Sequence, residues 1–528
     1  MPGPTTPPVY IVTLPPPTPN GSLHVGHLAG PFLAADVFVK AARLAGSAAL
    51  AVSYSDSNQS YVQATAARLG LEPQALASQC SREILEALAL YGCSVDSFSE
   101  PTAASNGFVR ELVLGLHRRG GLVEKEMSFF YSPGRGRFLG EAEVAGFCPN
   151  CLDRCKCGIC EGCAFINSAE TLVSPREAIS GPADLERRKA RVLVLEMEPH
   201  RAAIQAFYAA DRPFRPRYRW LIEDALRQRL PDFPVSVPGD WGIALGADFP
   251  GCVVNPWAEV MGQFLYCYRD AAGRLPAGGD RRVVNFFGFD NSYFYGIVHI
   301  ALLSALGQMK WAPYVTMINE FYDLEHRKFS TSHGHVLWAA DLARRHDPDL
   351  VRFYLALVGP GFERANFSEP EMAAAIEERV ARPWRELASH HNRRLGSLAG
   401  RLAAPSPAVR EAGLACLERI ASRFSLERFH LRQAAEDLIH LLDFAAAHGS
   451  QDADDDAQIL ADTAHLVRCF ARAVYPLCPG AAARLAGSSG APPDPEANLV
   501  AAPATLPYSL FGPDGRANAP ALALESAK

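Results

Sequence analysis

The 528-residue chain has no uninterrupted apolar stretch long enough to span a bilayer. Its start, MPGPTTPPVY, lacks both a basic n-region and an apolar h-region. These absences predict a chain that is soluble, unexported and cytoplasmic. A basic excess is missing too: 51 Lys and Arg stand against 57 Asp and Glu, for a net charge of −6. That excludes a polycationic nucleic-acid coat but leaves room for a local basic groove. Lysine is scarce, at positions 40, 125, 156, 189, 310, 328 and 528 only, while arginine is abundant. The bias fits high-GC codon usage, and it makes a lysine inside a loop more noticeable. The cysteines are not spread as in a disulfide framework. Six of the 13 lie between Cys148 and Cys163, which in an intracellular chain points to metal. No internal repeat is visible. With 48% apolar and 20% charged residues the chain is globular, and its length allows about three domains.

Residues 9–14 form a β-branched run stopped by the prolines of 15–19. Residues 23 to 43 read as a helix, 49–53 as a second strand, and 61–69, 73–91 and 106–119 as further helices. This alternation predicts an α/β fold with a doubly wound parallel sheet, Rossmann-like. Pattern breaks down between 120 and 200, which reads as an insertion. It resumes with helices at 201–209 and 218–230, buried strands at 283–287 and 315–318, and a helix at 293–306 between those strands. Residues 369 to 485 are helical in pattern, the acidic run 454–456 reads as a solvated loop, and the Ala-, Pro- and Gly-rich end reads as a loose tail. The expected division is a catalytic first half at 1–119, a connective insertion at 120–200, a catalytic second half at 201–368, a helical bundle at 369–486 and a tail at 487–528.

Chemistry concentrates first in Pro19-Asn20-Gly21-Ser22-Leu23-His24-Val25-Gly26-His27, where strand gives way to helix. A helix start offers free N–H groups and a positive dipole end. His24 and His27 are three apart and can share one side of the first turn, and Gly26 lets a flat ring such as adenine approach the backbone. Two imidazoles there suit a triphosphate under attack at its α-phosphorus, stabilising charge that grows on its oxygens and on the leaving pyrophosphate. HxGH alone is a weak signal, but its context of strand, proline stop and Asn-Gly turn strengthens it. The segment PNGSLHVGHLAGPFLAADV resembles the HIGH signature of class I aminoacyl-tRNA synthetases, and its flanks are most similar to methionyl-tRNA synthetases. Shorter HxGH nucleotidyltransferases compete for the motif but lack the motifs that lie further along this chain.

Arg327-Lys328-Phe329-Ser330-Thr331-Ser332-His333-Gly334 resembles the KMSKS loop of the same class. A mobile loop of cations and hydroxyls can close over a triphosphate. Lys328 matches the first lysine of the pattern, while Thr331 replaces the second. Arg327, His326 and His333 are the candidates for the missing charge.

Cys148-x2-Cys151 and Cys160-x2-Cys163 are separated by eight residues. Paired CxxC units can grip a tetrahedral ion, and four thiolates close a structural Zn2+ site with no open position for water. Cys155 and Cys157 offer another register; the outer four are preferred. The resemblance places such a knuckle in this insertion.

Asp56 follows the second strand, where a carboxylate faces the ligand crevice of such a sheet; by resemblance it holds the substrate's α-ammonium. Gly288-Phe289-Asp290 matches the family's Gly-Lys-Asp, with Asp290 left to accept from a ribose hydroxyl. Tyr295 replaces a histidine of the methionine pocket. Asp240-Trp241-Gly242-Ile243 matches a family Asp-Trp-Gly-Ile. Asn255-Pro256-Trp257-Ala258-Glu259-Val260-Met261-Gly262 resembles the family's pocket segment with one residue missing, making Trp257 the aromatic wall, and Gln263 stands where a tyrosine is usual. Plain core packing is the competing account of each aromatic.

Val474-Tyr475-Pro476-Leu477-Cys478-Pro479 resembles the helix end of the class I anticodon-binding bundle, with Arg393, Arg394 and Arg401 as candidate phosphate contacts. The stacking tryptophan of methionyl enzymes is absent between 443 and 448, and His448 takes its approximate place. The resemblance, over about 480 residues, implies ATP-dependent activation of an amino acid to an aminoacyl-adenylate and transfer to tRNA, with methionine as the leading amino acid. The alternatives are a paralogue charging another amino acid, for example in specialised metabolite biosynthesis, and an inactive zinc-stabilised RNA-binding module. It further implies His24, His27, Lys328, Ser330 and Ser332 as the catalytic set, and Gly26, Gly288 and Asp290 at ATP. Asp56, Trp257 and Tyr295 are then at the amino acid, and Cys148, Cys151, Cys160 and Cys163 at zinc. ATP, Mg2+ and structural Zn2+ are the implied cofactors. The implied partners are tRNA and an amino acid, with no membrane, no large editing domain, an open oligomeric state and a monomer favoured.

Overall fold

Five strands pair in parallel as one sheet in the computed structural model, which describes residues 7–178, 185–329, 334–397, 403–451, 456–486 and 505–511. The described residues form two compact units: Met1–Ser22, Gly46–Leu85 and Val95–Glu320 in the first, and Leu23–Ala45, Glu86–Ser94 and Phe321–Lys528 in the second.

The sheet lies within the first unit. Strand Val9–Thr13 is central, with Ile11 opposite Val283 of strand Arg281–Gly288 and opposite Leu50 of strand Ala49–Tyr54. Strands Val315–Asn319 and Ser97–Ser99 complete the two edges, all in parallel. Val9–Thr13 is buried along its whole length, as expected of a parallel strand covered on both faces. The order runs outward from the first strand to the second and third, then reverses to the fourth and fifth. This is the doubly wound arrangement expected, and its reversal point opens a crevice at the carboxyl ends of the strands.

The 120–200 region is antiparallel. Strand Val123–Ser132 pairs with Glu186–Leu195 in a long ribbon, joined at its sides by Arg137–Phe138 and Phe233–Pro234. A smaller sheet, Arg154–Lys156, Val144–Phe147 and Val173–Glu177, carries the cysteines.

Two helices depart from expectation. The pattern at 23–43 is not one helix: Val25–His27 passes through a π turn at Leu28–Phe32 into Leu33–Leu44. Pro31 has no N–H to give, and Gly30 sits at φ −81°, ψ −109°, so the regular ladder breaks there. Helix Pro256–Arg274 escapes pattern reading because it is buried on most sides, from Ala258 through Leu265 without interruption.

In the second unit, helices Arg382–Ser397, Pro407–Ser422, Leu431–Gly449 and Asp456–Val474 bury Trp384, Leu387, Ile420, Leu438, Leu442, Leu460 and Leu466. The end of the chain is not uniformly loose. Leu506, Leu510 and Phe511 are buried, and the Trp384 indole donates to the Pro507 carbonyl at 2.8 Å. Arg394 is not a free phosphate contact: it is buried and donates to Asp456 and to the Gly449 and Gln451 carbonyls. Asp456 is thus an ion-pair partner rather than part of a merely solvated run. Arg393 is exposed, while Arg401 lies outside the described residues. His448 is bound to Asp462 at 3.0 Å, and the neighbouring exposed aromatic is Phe444.

By length and composition, the 20-residue run Val25–Leu44 is enough to cross a membrane, contrary to the reading of the sequence by uninterrupted apolar stretches; 72% of its apolar window is buried inside the protein.

Candidate active site

In the first unit, Asp56 stands two residues beyond strand Ala49–Tyr54, on the carboxyl side of the sheet. Its Oδ1 is buried and has no hydrogen-bond partner among the described residues. Burial pushes its carboxyl well above the usual range, and the like charges of Glu259 and Glu141 push the same way against a hydrogen bond from Gln59. Glu259, on helix Pro256–Arg274, is fully buried. Its Oε1 accepts from Asn58 at 2.7 Å and from Gln263 at 3.4 Å, while Oε2 has no partner among the described residues. Burial raises this carboxyl to about 7.

Tyr295 is buried beside Phe287 (ring centroids 4.1 Å apart) and His299 (4.8 Å), and the charge of Asp56 reaches its hydroxyl. Trp257 is half-buried and stacks on Phe294 at 3.9 Å. Its indole N–H donates to Glu141 Oε2 at 2.9 Å, and its carbonyl accepts from His299 Nε2 at 2.8 Å. That bond fixes the His299 tautomer, leaving buried Nδ1 an acceptor with no partner among the described residues. Burial lowers the His299 imidazole to about 4, so the ring is neutral. Glu141 also accepts from the Tyr61 hydroxyl at 3.4 Å, and burial raises its carboxyl to about 7.

Asp290 follows strand Arg281–Gly288 and accepts from Asn291 at 3.0 Å. Gly288 leaves room for it: a Cβ there would lie 2.6 Å from Asp290 Oδ1. Phe289, where the family has lysine, is buried with the Arg217 guanidinium 3.5 Å over its ring, and Arg217 is ion-paired to Glu320. A cation therefore stands on the side chain that replaced one.

In the second unit, His24, Gly26, His27 and Phe329 come together. His24 is the N-cap of Val25–His27, its Nδ1 accepting from the His27 backbone N–H at 3.3 Å. With Nδ1 so used, the proton of the neutral ring sits on Nε2. Burial, with the His27 charge second, holds His24 well below its usual range. The rings of His24 and His27 stack at 3.6 Å, and Phe329 covers His24 at 4.7 Å and 9°. A Cβ on Gly26 would meet both His24 and Phe329 at 3.1 Å, so the space over that glycine is filled by a ring of the chain itself. Because the helix is broken after three residues, the dipole argument weakens and the imidazoles themselves are what remains. Backbone bonds on either side of His24 hold the turn: Val25 N–H donates to Leu337 O at 3.0 Å, and Ala339 N–H donates to Leu23 O at 2.8 Å.

Lys328 is exposed on the short strand Arg327–Lys328, with Nζ 6.0 Å from the centre of the Phe321 ring. The hairpin turn before it places Glu325 and His326 at φ 46° and 60°, as a type I′ turn requires. Ser330, Thr331, Ser332 and His333 lie outside the described residues.

The four outer cysteines converge in the knuckle. The sulfurs of Cys148, Cys151, Cys160 and Cys163 all lie within 4.8 Å of one another, with Cys148–Cys163 at 3.7 Å and Cys151–Cys160 at 3.6 Å. Thiolates about 2.3 Å from a shared tetrahedral Zn2+ stand about 3.8 Å apart, so the set fits that ion. Cys155 instead meets the Asn167 amide at 3.4 Å.

Sequence reading missed Glu259, His299 and Glu141. The available signal was an acid set between apolar residues in a segment already singled out for its tryptophan.

The family model described as tRNA synthetases class I (M) matches residues 10–391. A methionine--tRNA ligase of Roseiflexus sp. (strain RS-1) is 30% identical over 401 residues, covering 71% of this chain and 66% of that protein. The chain thus spans just under two thirds of that relative's length. One from Saccharopolyspora erythraea is 26% identical over 470 residues, covering 81% of this chain and 77% of that protein. The fold matches a crystal structure of Mycobacterium tuberculosis methionyl-tRNA synthetase bound by methionyl-adenylate, with TM-score 0.74 and 20% identity over 96% of this chain and all of that one. With a match across 10–391, the chain belongs to the class I tRNA synthetases of the methionine type.

Proposed function

We propose that the chain is a methionine--tRNA ligase acting in the cytoplasm. In the first step the methionine carboxylate attacks the α-phosphorus of ATP; the bond from that phosphorus to the bridging oxygen breaks, releasing pyrophosphate and leaving methionyl-adenylate. In the second, a terminal ribose hydroxyl of tRNA attacks the carbonyl carbon and AMP departs. Asp56 holds the ammonium, Asp290 the ribose beside Gly288, and Trp257 with Tyr295 forms walls of the amino-acid pocket. His24 and His27 donate to phosphate oxygens across Gly26, with Lys328, Ser330 and Ser332 closing on them. Bound Mg2+ would share the triphosphate charge. The four cysteines hold Zn2+ structurally. The boundaries 1–119, 120–200, 201–368, 369–486 and 487–528 are part of the same reading.

Asp56 carries it: a buried carboxyl oxygen without a partner among the described residues, just past the carboxyl end of a strand beside the sheet's reversal, suits a cationic ligand. The named relatives supply the amino acid. ATP–pyrophosphate exchange with a panel of amino acids, followed by charging of tRNA, tests it. Methionine-dependent exchange and charging are expected. Exchange with a different amino acid sinks the methionine assignment, and no exchange with any sinks the enzyme. Lys328→Ala should cut exchange by at least about tenfold; an unchanged rate removes Lys328 from the set.

A further inference from the structure

The Asp56 neighbourhood holds more carboxyl groups than one ammonium contact with Asp56 explains. Asp56 Oδ1 and Glu259 Oε2 are both buried, and neither has a hydrogen-bond partner among the described residues. Their charges interact, since Glu259 is one of the groups that push Asp56 upward. The other charge acting on Asp56 is Glu141, again an acid. Elements packed on helix Pro256–Arg274 bring Tyr54 from the sheet, Asn106 behind Gln263 at 3.1 Å, and His299. None is a cation, His299 being held neutral. Two buried carboxylates with free oxygens cannot both ionise unless a cation joins them. A divalent metal held by two carboxylates would complete its shell with several waters, a wet arrangement unlike this buried acid pair. A primary ammonium brings three N–H donors on one small positive centre, which suits two neighbouring carboxyl groups.

We infer that Glu259 is a second acceptor for the α-ammonium of the amino-acid substrate, holding it jointly with Asp56. This rests on the aminoacylation reading and adds to it a positioning residue for the reacting amino acid. Glu259 is oriented for the task through its other oxygen, which Asn58 and Gln263 hold. Its ionised form adds charge attraction to an ammonium, which the protonated acid lacks. Ligand affinity therefore rises with pH through about 7, the value to which burial lifts this carboxyl.

The test uses the full chain and three probes: methionine, its amino alcohol methioninol, and the desamino analogue that keeps the thioether and carboxylate. Calorimetry between pH 6 and 8.5 reads affinity, and pyrophosphate exchange reads KM and kcat. Glu259→Gln keeps the side chain's size and its Oε1 acceptor. It should weaken methionine and methioninol by about 10- to 100-fold at pH 8, spare the desamino analogue, and flatten the pH dependence. Glu259→Asp, which keeps the charge, should restore part of the pH slope and guards against a folding artefact. Asp56→Asn should lose affinity for the same two probes. If Glu259→Gln binds methioninol with wild-type affinity and slope while Asp56→Asn does not, the inference is overturned. It is equally overturned if Glu259→Gln weakens the desamino analogue as much as methionine, since the residue then merely shapes the pocket. Failure of the enzyme reading looks different: the unmodified chain exchanges pyrophosphate with no amino acid.

Discussion

Arg352 and Asp36 meet as a fully buried ion pair, Nη2 to Oδ2 at 2.7 Å, behind the helix that continues from the two histidines. Arg352 also donates to the carbonyls of Leu477 (2.5 Å), Pro476 (2.9 Å) and Tyr91 (3.1 Å). Asp36 further accepts from Lys40 and from the Ser94 backbone N–H at 2.6 Å. Burial alone would raise Asp36, but Arg352 and Lys40 outweigh it and hold the carboxyl below its usual range. Removing one partner leaves a buried charge stranded. Arg352→Leu should destabilise the second unit by about 3–5 kcal/mol, and Arg352→Leu with Asp36→Leu should recover a good part of it. Urea unfolding of the set checks both; equal loss in single and double variants would contradict the coupling.

The knuckle yields a sharper discrimination. Cys160→Ser should abolish binding of one Zn2+ per chain and lower the melting temperature, because a closed thiolate site contributes folding energy. Cys155→Ser should keep the metal, since its sulfur, though it lies beside Cys160 and accepts from Asn167, is not one of the four that converge. Zinc content by elemental analysis of both variants decides the register that six clustered cysteines leave ambiguous. Metal retained in Cys160→Ser would reassign the ligands.

Those cysteines show what a sequence can and cannot carry. Spacing in CxxC units encodes local geometry, so the outer four were legible before any fold. The parallel sheet was legible for a similar reason: strands such as Val9–Thr13 are buried on both faces and written as unbroken apolar runs. Helix Pro256–Arg274 was hidden by the same burial, since an all-round apolar helix has no polar face to mark its period. Glu259 was hidden with it. The meaning of a buried acid lies in its neighbours, Asp56 and Asn58, some 200 positions away in the chain. The break at Gly30-Pro31 was written in the residues and passed over in favour of the apolar stripe around it.

Glu259 also makes the fold sensitive to pH. Its carboxyl titrates near 7 in the fold against 4.5 in an open chain, so between those values the native state binds more protons than the unfolded one. Stability contributed by the protonated group is therefore lost as pH rises through this window. The loss reaches at most about 3 kcal/mol by pH 8. Glu259→Gln removes the titration, so it should melt higher than the unmodified chain at pH 8 and close to it at pH 5. Parallel melting curves at both pH values would show the cost to lie elsewhere. Saturating ligand should narrow the gap at pH 8, because an ammonium neutralises the buried charge.

The stack of Phe329 on His24 decides what kind of donor the first histidine is. Burial and the His27 charge hold His24 below its ordinary range, and its Nδ1 is committed to the helix cap. At neutral pH it therefore offers one N–H from Nε2 and no positive charge. Asn can cap a helix start and still present an N–H donor. His24→Asn should accordingly retain more pyrophosphate exchange than His24→Ala, which loses both cap and donor. Phe329→Ala uncovers the ring, so the His24 titration, followed by its imidazole proton resonances, should move upward toward the ordinary 6.5. If it does not move, Phe329 is not what buries the ring. If His24→Asn and His24→Ala fail equally, with both folded by circular dichroism, His24 acts as a cation and the neutral-donor account is wrong.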